Sequence, residues 1–179
     1  MSQSMDANAA GLYPWHEEQW AFFTRCLEMD RLAHALLIEG PSGCGKTVLA
    51  DLMVKKLLCS GAEPFACGQC RSCELLVGGA HPEWINITYE LNEKTGKFRT
   101  VLTVDQIRAM TDSLQLTKSI SNRKVACIDP ADAMTRNAAN ALLKSLEEPA
   151  GADTYLILVT GRPGSLPATI RSRCQSITV

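Results

Sequence analysis

Neither charge dominates this chain. Its 18 Lys and Arg stand against 19 Asp and Glu, a formal net charge of -1, so there is no general attraction to nucleic acid or anionic lipid. Aromatic residues are scarce, at 6%, and none sits in the basic–aromatic stripe that would mark a nucleic-acid-binding surface. No apolar run approaches the length that crosses a bilayer, and the N-terminus lacks a basic-then-apolar secretory pattern. No membrane contact is expected, and the expected compartment is the cytoplasm. In that compartment eight cysteines among 179 residues argue for metal ligation or free thiols over disulfides. The length suits one domain with a full core, or one domain plus a small insert.

What the chain does have is one organising stretch. The apolar run Ala35-Leu36-Leu37-Ile38-Glu39 leads into Gly40-Pro41-Ser42-Gly43-Cys44-Gly45-Lys46-Thr47, and helix formers follow. The order is strand, phosphate loop, helix. Gly40, Gly43 and Gly45 let the backbone curl so that successive N–H groups face an anion, and the helix aims its positive end at the same point. Lys46 can reach outer phosphates, and the Thr47 hydroxyl can ligate magnesium. The predicted ligand is ATP with magnesium; the rival reading is a Gly-rich turn with a chance Lys-Thr.

A second apolar run, Lys124-Val125-Ala126-Cys127-Ile128-Asp129, ends in a carboxylate. It has the shape of a Walker B strand, with Asp129 supporting magnesium from across the loop; the alternative is a turn Asp at a strand end. Hydrolysing ATPases place Glu next, to polarise water. Here the next residue is Pro130, which has no acid or base function. Asp132 reads as the cap of the following helix.

Between these runs lies Cys59-x7-Cys67-x2-Cys70-x2-Cys73. Two-residue gaps let thiolates converge on one ion, and a Gly/Pro loop returns the fourth. A closed four-thiolate zinc site predicts a structural metal, within an insert of about 59–80. The alternatives are a redox dithiol or free loop thiols. Cys44 belongs to the phosphate loop, and His81 reads as a turn residue, not a fifth ligand.

Elsewhere, residues 14–27 read as an amphipathic helix with Trp15, Gln19, Phe22, Phe23 and Cys26 on one face. Residues 92–97 read as a polar loop, and Thr103 with Gln106 forms a capping-box signature. Further strands are expected at 84–89, 155–160 and 175–179, and a helix over 138–149. The fold class is α/β, a parallel sheet with helices on both faces.

Taken together, His34-Ala35-Leu36-Leu37, the phosphate loop, the four-cysteine insert, Val104-Asp105-Gln106-Ile107-Arg108, the run from Ala139 to Pro149, and Ser172-Arg173-Cys174 span nearly the whole chain in one order. They resemble the delta-prime subunits of the bacterial DNA polymerase III clamp loader, within the AAA+ class. The resemblance implies a P-loop NTPase domain over 12–179, with a loose tail at 1–11. Lid and collar domains would lie outside this chain. It further implies a non-motor, stator-like accessory subunit with no useful ATPase of its own, which helps place the sliding clamp on primed DNA. Its partners would be gamma/tau motor subunits and delta in a hetero-oligomeric ring. Arg173 then becomes an arginine finger acting in trans, where the residues alone suggest a surface Arg or a salt-bridge partner. Thr160 matches the position that senses the γ-phosphate, or it is only a strand terminus. The alternative function is an ATP-hydrolysing motor subunit of the gamma/tau type, whose Walker B segment takes the form Asp-Glu-x-His.

Overall fold

The computed structural model describes residues 11–92 and 96–179. After a 3-10 turn at Pro14–His16 come helix α1 (Glu17–Glu28), strand β1 (Ala35–Glu39), α2 (Lys46–Leu58), α3 (Arg71–Val77) and β2 (Trp84–Ile87). A short hairpin, β3 (Leu91–Asn92) with β4 (Lys97–Phe98), precedes α4 (Val104–Gln115), β5 (Lys124–Ile128) and α5 (Arg136–Glu147). The chain then forms β6 (Thr154–Thr160), α6 (Ala168–Arg171) and β7 (Gln175–Thr178). The five-stranded sheet has the order β2-β5-β6-β1-β7, and every pairing in it is parallel.

All five residues of β5 and all seven of β6 are buried. That is the signature of strands covered on both faces. Because side chains alternate across a strand, each strand feeds two cores. Leu36, Ile38, Val125, Cys127, Ile157, Val159 and Ile177 pack with α1 and α2. Leu37, Ala126, Ile128, Leu156 and Leu158 pack with α4, α5 and α6. The α/β class with helices on both faces is therefore what forms.

Local chemistry sets the helix starts. The Thr103 hydroxyl accepts from Gln106 N (3.4 Å), and Gln106 Oε1 accepts from Thr103 N (2.8 Å), so the capping box at the start of α4 is present. Asp132 does not cap α5; Thr135 does, accepting from Ala138 N at 3.2 Å. At the other end of α4, the buried Lys124 donates to the carbonyls of Ser113, Leu114 and Leu116. A cation there satisfies orphan helix carbonyls.

Three sequence expectations need correction. Of the expected face, Phe23 is fully buried, but Trp15 and Phe22 are exposed, and the buried residues beside Phe23 are His16 and Trp20. Trp20 is drawn inward by Phe65 of the cysteine loop, stacked at 4.8 Å. Cys26 is only partly buried and stands outside the core. The expected polar loop at 92–97 is flanked by the β3–β4 pair. Residues 93–95 lie outside the described residues, as does the expected tail apart from Gly11.

His81 is buried, and it is no metal ligand. Its Nδ1 accepts from Glu83 N at 3.2 Å, which assigns the ring proton to Nε2, 2.6 Å from Ser72 Oγ. Ser72 in turn donates to Leu58 O at 2.7 Å, so α3 is tied to the end of α2. Burial holds the His81 pKa down against the opposing Glu83 charge. Burial would raise Glu83, but donations from Ser119, Ser121 and Ile120 outweigh it and lower its pKa.

Two predictions follow from the packing and from this pair. Leu37, fully buried in β1, should lose about 2–5 kcal/mol on Leu37→Ala, read as a lower urea midpoint. A folded state that keeps His81 neutral resists a proton that the unfolded chain accepts near pH ~6.5. This stability is therefore complete above that pH and is lost as pH falls below it. His81→Gln should flatten the fall in urea midpoint between about pH 7 and about pH 5 relative to the parent chain.

Candidate functional site

The phosphate loop follows the carboxyl end of β1 and feeds α2, whose N-cap is Gly45 with φ 84°. Only a residue without Cβ fits comfortably there, and a Cβ at Gly45 would also lie 2.7 Å from the Tyr13 ring. None of the first-turn residues of α2 is acidic, so the carboxylate that meets its positive end comes from another strand. Thr47 Oγ1 donates to Asp129 Oδ2 at 2.6 Å. The hydroxyl and carboxylate that sequence reading assigned to magnesium, 82 positions apart, are thus in direct contact. Lys46 Nζ turns back to donate to Pro41 O at 2.6 Å, so the lysine lies folded into the loop it would share with phosphate. The donor set fits a magnesium–nucleotide ligand.

Two features here escaped sequence reading. Trp15 Nε1 donates to Cys44 O at 3.0 Å, and His16 Nε2 lies 2.8 Å from the same carbonyl. With Tyr13 stacked on Trp15 at 4.8 Å, the segment before α1 forms a strap against the loop. The second feature is a clasp on Asp132. Its Oδ1 accepts from Thr160 Oγ1 at 2.7 Å, and its Oδ2 accepts from Arg162 Nε at 2.9 Å and pairs with Arg162 Nη2 at 2.7 Å. Burial would raise the Asp132 pKa, but the bonds from Thr160 and Arg162 and the Arg162 charge lower it. The Thr160 hydroxyl gives its proton to Asp132 and accepts from Arg162 N at 3.0 Å. No contiguous motif marks either feature; both join residues distant in sequence.

Arg173 lies elsewhere. Parallel pairing sets Leu36 beside Gln175 and Glu39 beside Thr178. The loop leaves β1 beyond Glu39, whereas Arg173 precedes Gln175, at the opposite end of the same strands. The backbone separation is at least ~10 Å at about 3.3 Å per residue. Arg173 Nη2 pairs with Glu147 Oε1 at 2.6 Å, and Nη1 donates to Thr169 O at 2.9 Å. Beside it, burial pushes the Cys174 thiol up to about 11, so Cys174 is a packing residue.

The ligand atoms of Cys59, Cys67, Cys70 and Cys73 lie within 4.8 Å of one another, with Cys59 and Cys70 Sγ 3.9 Å apart. Metal–sulfur bonds of about 2.3 Å in a tetrahedron give edges of about 3.8 Å, so the cluster can hold a metal ion. Gly61 N and Cys67 N each donate to Cys59 Sγ at 3.2 Å, the kind of second-layer bond that steadies a thiolate ligand. Burial pushes Cys73 up to about 12. Burial acts the same way on Cys70, but the Ser60 hydroxyl and the Ser60 and Cys73 backbone outweigh it and bring that thiol down to about 5.

A family profile described as "DNA polymerase III, delta subunit" matches residues 15–179. The delta-prime subunit of DNA polymerase III from Pseudomonas aeruginosa is 42% identical over 166 residues, covering 92% of this chain and 48% of its own length. This chain belongs to the DNA polymerase III delta-prime family. It spans about half the length of the curated relatives it matches. The tau/gamma subunit of Haemophilus influenzae is 36% identical over 149 residues, covering 83% of this chain and 20% of its own length. A solved gamma subunit-related protein from Thermotoga maritima shares the fold, with a TM-score of 0.65 at 23% identity over 90% of this chain and 45% of that one. Among the described residues, no helix is long and apolar enough to cross a membrane.

Because thiols must lose protons to bind a metal, metal binding should release protons and weaken steeply from about pH 8 to about pH 6. Calorimetric metal titrations in buffers of differing ionisation enthalpy measure both.

Proposed function

We propose that this chain is the nucleotide-binding-fold portion of a non-motor clamp-loader subunit, one that lends Arg173 to the ATP site of a neighbouring motor subunit. The observation that carries this reading is the position of Arg173. It stands at the opposite end of β1 and β7 from its own phosphate loop, so its useful target is a phosphate on another subunit. A fixed guanidinium there would meet the charge that develops on the transferred phosphoryl group.

The clasp supports the non-motor part. Pro130 offers no base, and Asp132 is the substitute that lies nearest in sequence. Both Asp132 oxygens are engaged by Thr160 and Arg162, and its lowered pKa makes it a weak proton acceptor. Thr160, whose hydroxyl serves the same clasp, acts here as an anchor of the strand end in preference to a γ-phosphate sensor. The gamma/tau-type motor alternative would need Asp132 released.

Lys46, Thr47 and Asp129, with Gly40, Gly43 and Gly45 shaping the loop, would hold ATP with magnesium; bound magnesium would neutralise phosphate charge. Cys59, Cys67, Cys70 and Cys73 would hold zinc, whose closed four-sulfur shell leaves no position for substrate. Its role is to order the segment between α2 and β2. The partners are gamma/tau motor subunits and delta in a hetero-oligomeric ring, with the sliding clamp and primed DNA engaged through the complex, in the cytoplasm.

The subunit alone should bind ATP with magnesium yet turn it over negligibly, and Asp132→Ala should not change that. Arg173→Ala in a reconstituted loader should slow ATP-driven clamp loading on the order of 10³-fold at the affected site, with assembly intact by gel filtration. Brisk hydrolysis by the lone subunit, abolished by Asp132→Ala, would overturn the non-motor reading.

A further inference from the structure

The residue that holds Arg173 is as informative as Arg173 itself. An exposed arginine ordinarily samples many rotamers, and catalysis by a guanidinium depends on its being in place before charge develops. Arg173 is not loose. Its Nη2 pairs with Glu147 Oε1 at 2.6 Å and its Nη1 donates to Thr169 O at 2.9 Å. Two of its five donors are used on one seat, and three remain for a phosphoryl group.

The seat is itself anchored. Glu147 is the last residue of α5, directly after Leu146, which is 2% exposed. His34 Nε2 lies 2.9 Å from the Leu146 carbonyl, and the Thr111 and Ser145 hydroxyls pair at 3.1 Å to hold α5 against α4. Thr169 lies in α6, which is pinned by the fully buried Ile170. The guanidinium therefore sits between the carboxyl end of α5, where the partial charge is negative and a cation is favoured, and a carbonyl of the one-turn α6. Both side chains of the pair keep access to a neighbour, with relative exposures of 36% for Arg173 and 51% for Glu147.

We propose that Glu147 is the positioning residue for Arg173, fixing the plane and reach of its guanidinium toward the neighbouring subunit's triphosphate. This rests on Arg173 acting in trans. Glu147 touches no nucleotide. Its loss should therefore slow the step in which phosphoryl charge builds while leaving substrate affinity unchanged.

The test uses the full-length subunit assembled with its motor subunits, clamp and primed DNA, with steady-state ATP hydrolysis resolved into kcat and KM. Glu147→Gln, which keeps size and removes charge, should lower kcat about 10- to 100-fold, the cost typical of a misplaced catalytic group. KM for ATP, the thermal midpoint and assembly should be unchanged, and Glu147→Asp should recover part of the rate. In an Arg173→Ala background, Glu147→Gln should have no additional effect, since it acts only through the arginine. If Glu147→Gln turns over like the parent while Arg173→Ala is slow, the finger stands and the positioning role falls. A further loss on combining the two changes would equally overturn it. An undiminished rate in Arg173→Ala alone would remove the finger reading and this inference with it.

Discussion

The structure depends on one constraint: β1 lies between β6 and β7 and is buried on both faces. Its residues Leu36 and Ile38 point to one helical layer and Ala35 and Leu37 to the other. A strand so confined cannot slip register, because a one-residue shift would exchange its two faces. Everything functional is referenced to it. The phosphate loop leaves its carboxyl end, and β7, paired with it through Leu36–Gln175 to Glu39–Thr178, fixes where Arg173 begins. The two chemical features are thereby placed at opposite ends of one rigid bar.

That separation is what the proposed division of labour between subunits rests on. The loop end joins Thr47 to Asp129, and Asp132 beside it is committed to Thr160 and Arg162. The guanidinium at the far end has a seat made of the Glu147 carboxylate at the end of α5 and the Thr169 carbonyl. The strap formed by Tyr13, Trp15 and His16 adds a contact to the loop's Cys44 carbonyl, so the entrance to the loop is shaped by residues that precede the core.

The cysteine module is joined to this frame by more than its own thiols. Phe65 stacks on Trp20, and the His81–Ser72–Leu58 chain links α3 to the end of α2. Ordering the four sulfurs therefore also orders packing between the module and the body. A short loop-rich segment with little core of its own gains rigidity in two ways, by ligand convergence and by borrowing an aromatic face.

Much was legible in the residues because it depends on chemistry over short spans. The loop from Gly40 to Thr47, the Cys-x2-Cys pairs, the Thr103–Gln106 cap and the buried runs of β1, β5 and β6 each follow from spacing within a few positions. Arg173 was singled out by the family resemblance and not by spacing. Tertiary structure alone decided that His16 and Trp20 join Phe23 on the buried stripe in place of Trp15 and Phe22, since amphipathic patterns one residue apart are nearly equal until Phe65 stacks on Trp20. It also decided that Asp132 is held by Thr160 and Arg162 in place of capping α5, and that Glu147 meets Arg173. Those contacts join groups 26 to 30 positions apart. Their energy depends on distance and direction in space, which the order of residues does not contain until the sheet has set the ends of its strands.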